Sequence, residues 1–188
     1  NRLHLMLAFL AFSCVAEAQQ LPLFTQYRDN ITVINPAAVN SNYWLYDQNL
    51  NFGASYRDQW VGLKNSPTTA TLRGDYLLDN GNTFNLLTGG HLIHDETGPT
   101  GFTGLYGKVG GVISSDPYYS GIAVALNFGL VQYRVDATDI IYRDEGDMIG
   151  QESHTQFFPD VGFGLFAYTQ LDGGPFDGDY LYGGVSIP

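Results

Sequence analysis

Ser120-Gly121-Ile122-Ala123-Val124-Ala125-Leu126-Asn127-Phe128-Gly129-Leu130-Val131-Gln132-Tyr133-Arg134 decides the fold. Ile122, Val124, Leu126, Phe128 and Leu130 share one face of an extended chain, and small or polar residues take the other. Such alternation predicts a strand with two unlike environments. The run is long for a globular strand, whose usual length is about 5–6 residues. It matches the roughly 9–11 residues that cross a bilayer at a tilt.

The same period recurs along the chain, at residues 49–60, 69–78, 83–93, 101–113, 157–169 and 179–187. Arg57, Arg73, Asp75 and Lys108 all fall on the face opposite the apolar one, as lumen-facing residues of a barrel do. A soluble sandwich would alternate in the same way, so alternation alone leaves both open. The connections favour the barrel. In the first two cycles residues 61–68 and 94–100 exceed 79–82 and 114–119, and 135–156 exceeds 170–178. Short turns alternating with longer loops suit an outer-membrane barrel, with the longer set outside the cell. Asn80-Gly81 marks a tight hairpin. Seven strands fall short of the smallest bacterial barrel, which has eight. The expectation is therefore an all-β, antiparallel outer-membrane β-barrel, present as an N-terminal partial barrel truncated at its C-terminal side.

Composition agrees. Charged residues make up 14%, aromatics 14%, and there are 23 glycines. That profile fits strands with aromatic belts, not a disordered chain or a helical bundle. The net charge of −11 repels phosphate backbones, which excludes nucleic acid as a partner. No apolar run of about 18 residues predicts a membrane helix.

Residues 1–18 read as a secretory signal peptide. Arg2 precedes the apolar run 3–12, and Ala16-Glu17-Ala18 gives an A-x-A cleavage pattern. Sec-type export to the outer membrane follows. The single cysteine, Cys14, lies inside this leader. Lipidation there is disfavoured by Ala11, where a lipobox usually has Leu. The mature chain then has no disulfide, no Cys-based zinc site and no thiol nucleophile. Residues 19–48 are too apolar for a free tail and lack period-two alternation, which suggests a plug or docking segment. Residues 49–188 form the partial barrel.

Candidate chemistry is sparse. His91, His94, Asp95 and Glu96 resemble a metal cluster, but positions 91 and 94 lie on opposite faces of a strand. Asp136, Asp139, Asp144, Glu145, Asp147 and Glu152 make one loop acidic without EF-hand spacing. No nucleophile elbow, phosphate-binding loop or metalloprotease helix occurs. The expectation is no catalytic residue, no cofactor and no metal. A soluble periplasmic or surface β-sandwich binding module is the alternative, and a hydrolase a distant third.

Three blocks carry a family resemblance. The first contains Gln26, Tyr27, Asn35 and Pro36. The second is Arg57-Asp58-Gln59-Trp60-Val61-Gly62 followed by Pro67 and Thr68. The third is Asp95-Glu96-Thr97-Gly98-Pro99-Thr100. In this order and spacing the chain resembles the PorP/SprF family of type IX secretion and gliding-motility proteins of the Bacteroidetes. The resemblance implies a non-catalytic outer-membrane barrel that works with other secretion-machinery proteins and helps export or anchor a large secreted adhesin. Leu21, where an acidic residue is common, and Ala38-Val39-Asn40-Ser41 depart from the pattern.

Overall fold

The computed structural model describes residues 27–136, 154–173 and 178–187. Among the described residues, two short helices precede the strands, α1 (Ile31–Ile34) and α2 (Ser41–Tyr46). Seven strands follow: β1 (Leu50–Asp58), β2 (Thr68–Leu78), β3 (Phe84–Thr97), β4 (Thr100–Ile113), β5 (Ser120–Val135), β6 (His154–Gln170) and β7 (Tyr180–Ile187). They pair in chain order, each antiparallel to the next, in one curled half-barrel.

The turns follow local chemistry. Gly81 has φ +65 and Asp79 Oδ1 accepts from its N–H at 2.8 Å, but the connection spans residues 79–83 and Asn80 has no positive φ, so Asn-Gly does not make the two-residue turn expected of it. In α2, Asn40 caps the first turn by accepting from Asn42 N–H at 3.0 Å, and Asp47 ends it in the left-handed region at φ +56.

A second expectation fails. The connection placed at residues 94–100 is a two-residue hairpin, Gly98-Pro99, because β3 runs on to Thr97 and β4 resumes at Thr100. Gly98 supplies the positive φ, +58. This hairpin is shorter than the β2–β3 and β4–β5 turns, so loop length does not separate the two ends of the sheet. Strand overhang does. On the side of the β1–β2, β3–β4 and β5–β6 hairpins, the strands stay paired past the end of their apolar outward faces.

Outward faces show this in register. Ala54, Leu72, Leu92, Leu105, Leu130 and Pro159 form one continuous ladder row across β1 to β6, apolar throughout. Four residues further toward the hairpins lies the row Asp58, Thr68, Glu96, Gly101, Arg134 and Thr155, polar or glycine throughout. On β5 the apolar outward stretch runs from Ile122 to Leu130. At about 3.4 Å per residue and a tilt near 40°, it rises roughly 20 Å, close to the ~25 Å apolar band of membrane barrels.

Candidate functional site

The inner face is where the polar chemistry collects. Asn51, Arg73, Asp75, Lys108 and Asn127 are all buried there. Asp75 is the centre: Lys108 Nζ lies 2.6 Å from its Oδ1, and Arg73 Nη1 lies 3.6 Å from its Oδ2. Arg73 also donates to Asn51 Oδ1 at 2.8 Å. Asp75 and Lys108 belong to strands that are not neighbours. Both pair in register with Gly89 of the strand between them. With no side chain at Gly89, the lysine stem crosses β3 and reaches the carboxylate. A Cβ there would meet Gly74 O at 2.4 Å and Asp75 Oδ1 at 3.1 Å. Two buried cations against one buried anion need every remaining partner they can obtain.

The segment before β1 supplies some of those partners. Thr32 Oγ1 donates to Asp75 Oδ2 at 2.9 Å, and Asn40 Nδ2 donates to Asn51 Oδ1 at 3.1 Å. At the far side of the sheet, the Asn35 amide donates to Leu165 O of β6 at 2.9 Å and to Val185 O of β7 at 3.4 Å. Ser186 Oγ donates to Ile34 O at 2.9 Å. Asn35 Oδ1 meanwhile accepts from Ala37 N–H at 2.9 Å and shapes the turn at Pro36. Gly164 and Gly184 make room for it: a Cβ at either would stand 2.2 Å from Asn35 Oδ1 or 2.7 Å from its Nδ2. Residues 30–40 thus touch β1 and β2 at one side of the half-barrel and β6 and β7 at the other.

Aromatic rings hold α2 beside them. Trp44 lies 4.5 Å from Tyr168 and 5.4 Å from Tyr180 between ring centroids, and Tyr43 stacks on Tyr118 at 4.7 Å. The Tyr168 and Tyr180 hydroxyls donate to Pro117 O and Tyr118 O, each at 2.6 Å. Burial first, and the adjacent Tyr118 phenol second, push the Tyr43 hydroxyl far above the ordinary tyrosine range. Tyr118 is raised mainly by donating to Asp47 Oδ1 at 2.5 Å. Tyr118, Tyr168 and Tyr180 serve as hydrogen-bond donors, and Tyr43 as a packing surface.

The outer face is the reverse. Leu72, Leu105, Ile122, Leu126, Phe128 and Leu130 are exposed. Exposed apolar area on this scale marks contact with a membrane or a partner.

A family model for the type IX secretion system membrane protein PorP/SprF matches residues 16–188. The chain belongs to that family. No curated protein and no solved structure matches it. The PorP/SprF chain is therefore a type IX secretion system membrane protein. Among its described residues no helix is long and apolar enough to cross a membrane.

The PorP/SprF blocks named from sequence do not converge on one point. Gln26 lies outside the described residues, as do positions 137–153 of the acidic loop, where only Asp136 is described. Tyr27 is exposed. Asn35 and Pro36 sit on the inner face, and Asn35 is the bridge to β6 and β7. Arg57 is on the inner side of β1, whereas Gln59, Trp60, Gly62 and Pro67 belong to the β1–β2 hairpin and Thr68 to the polar outward row. Asp95 faces inward and accepts from Thr69 Oγ1 at 2.5 Å. Gly98 and Pro99 make the two-residue hairpin. His91 stacks on Tyr106 at 4.6 Å on the inner face, while His94 bonds Thr103 at 2.8 Å on the outer face. The two histidines are thus kept apart by the sheet. Sequence reasoning placed Arg73, Asp75 and Lys108 on one face but did not link them. The signal was Gly89, visible only once strand register is known.

Proposed function

We propose that this PorP/SprF protein is a non-catalytic outer-membrane component of type IX secretion that helps export or anchor large surface adhesins. The observation that carries the reading is the inversion of the two faces: buried charge inside, exposed apolar side chains outside, in a sheet of family-matched strands. Residues 1–18 act as the signal peptide for Sec-type export. Residues 49–188 supply the lipid-facing wall, with the overhanging hairpins outside the cell and the opposite turns in the periplasm. Residues 19–48 act as a lumen plug or as a docking element. The contacts of Thr32, Asn35 and Asn40 with the inner wall favour the plug.

Fractionation of the full-length protein tests location. Recovery from the outer membrane only with detergent is expected; release into the soluble periplasm would instead support the β-sandwich reading. Deleting residues 20–45 tests the plug. An increase in single-channel conductance in a folded barrel is expected, and unchanged conductance would leave the segment as a docking element.

A further inference from the structure

We propose that the outward cleft lined by His94, Glu96, Gly101, Thr103, Gln132 and Arg134 binds a membrane lipid whose headgroup ends in phosphoethanolamine. The inference rests on the wall reading above and names a ligand for one stretch of that wall. The cleft has a volume of about 360 Å³ and lies across β3, β4 and β5. Its residues come from two successive outward rows. His94, Thr103 and Gln132 form the row just past Leu92, Leu105 and Leu130, and Glu96, Gly101 and Arg134 form the next. All six stay in the paired ladder, so their heights follow from register. The polar stretch is local. In the row of His94 the flanking strands carry Tyr56, Ala70 and Phe157, which suit the interfacial belt of a membrane wall. Three polar side chains abreast interrupt that belt on β3, β4 and β5 alone among the six strands of the row.

Gly101 builds the upper edge of the cleft. It stands in register between Glu96 and Arg134, and the Arg134 side chain lies over it, with Nε 3.8 Å from where a Cβ would be. Arg134 thereby crosses β4 and puts Nη2 3.2 Å from Glu96 Oε1. At the lower edge His94 Nδ1 lies 2.8 Å from Thr103 Oγ1, beside Gln132. The ion pair is made through one nitrogen and one oxygen, whereas a guanidinium carries five N–H donors and a carboxylate about four acceptor positions. A phosphate on Arg134 and an ammonium on Glu96 complete a set of four charges alternating in sign, each contact a charge-assisted hydrogen bond. A simple anion would meet Glu96 with nothing to offset it, and a choline group has no N–H to donate. Depth agrees. At about 3.4 Å per residue and a tilt near 40°, the two polar rows differ in height by roughly 5 Å, within a headgroup layer about 5–7 Å thick. A lipid whose chains lie along the exposed Leu92, Leu105 and Leu130 presents its headgroup to the cleft.

Competition among lipids of one acyl composition decides it. The full-length protein in mild detergent is offered equal amounts of phosphatidylethanolamine, phosphatidylcholine and phosphatidylglycerol, and native mass spectrometry reads the lipid that stays bound. Phosphatidylethanolamine is expected to exceed each of the others by roughly fivefold or more. Glu96→Gln keeps the shape and removes the charge, and should bring that preference below about twofold. Arg134→Gln should lower bound phosphatidylethanolamine itself by roughly fivefold. Glu96 and Arg134 are both about half exposed, so the variants keep the fold, which an unchanged unfolding midpoint checks. Soluble phosphoethanolamine in large excess should not displace the lipid, because it has no chains to lay on the leucine row; displacement overturns the lipid as ligand. Equal retention of the three headgroups, a lead for phosphatidylglycerol, or the wild-type preference persisting in Glu96→Gln overturns the cleft. A protein that stays in solution without detergent and holds no lipid overturns the wall reading, and the cleft with it.

Discussion

On β5, Ile122, Leu126, Phe128 and Leu130 are exposed, whereas Ala123, Ala125, Asn127 and Val131 of the same strand are buried. The outer face gains little from packing within the chain and relies on its surroundings being apolar. The inner face instead buries charge and pairs it, Arg73 and Lys108 against Asp75. The contrast teaches that exposure and hydrophobicity change sign together here, so each substitution has a face-dependent cost.

The largest cost is expected at the inner cluster. Asp75→Ala leaves two buried cations uncompensated and should destabilise by about 3–5 kcal/mol, read from denaturant unfolding of the full-length protein in lipid. A loss under about 1 kcal/mol would mean that the inner face is wet. Next comes the outer face. Leu126→Arg sits mid-band and should cost about 2–4 kcal/mol in the same assay. A neutral result would remove the apolar surroundings that the comparison assumes.

A smaller effect is expected where the N-terminal segment meets the far strands. Asn35→Ala deletes the donations to Leu165 O and Val185 O and should cost about 1–2 kcal/mol, with faster proteolysis of residues 27–47 as the specific readout. The smallest belongs to the polar row. Glu96 and Arg134 pair at 3.2 Å but both are about half exposed, so Glu96→Gln should change stability by under about 1 kcal/mol. A large effect there would place that row inside an interface.

Much of the wall was legible in the sequence. Period-two alternation located seven strands and assigned Leu105 and Val109 to one face and Tyr106 and Lys108 to the other, because a strand's geometry is local. The β3–β4 hairpin was misjudged because Asp95, Glu96 and Thr97 look like loop residues. They remain paired because outside the apolar band a strand no longer needs apolar outward side chains. The inner network was not legible. Thr32 with Asp75, Asn35 with Leu165 and Asn40 with Asn51 join segments distant in sequence, and nothing in local pattern encodes them. The segment's two short helices, and the surface they cover, were not read from the sequence either.

Gly89 acts as a proofreader of strand alignment. Slipping β3 by one residue turns its side chains to the wrong faces and is penalised everywhere. A slip of two residues keeps every side chain on its own face, so hydrophobic pattern does not forbid it. It would, however, bring Leu87 or His91 between Asp75 and Lys108, where only glycine lets the lysine pass. The ion pair forms when three consecutive strands are aligned together, and it rejects the misalignment that the alternating pattern tolerates.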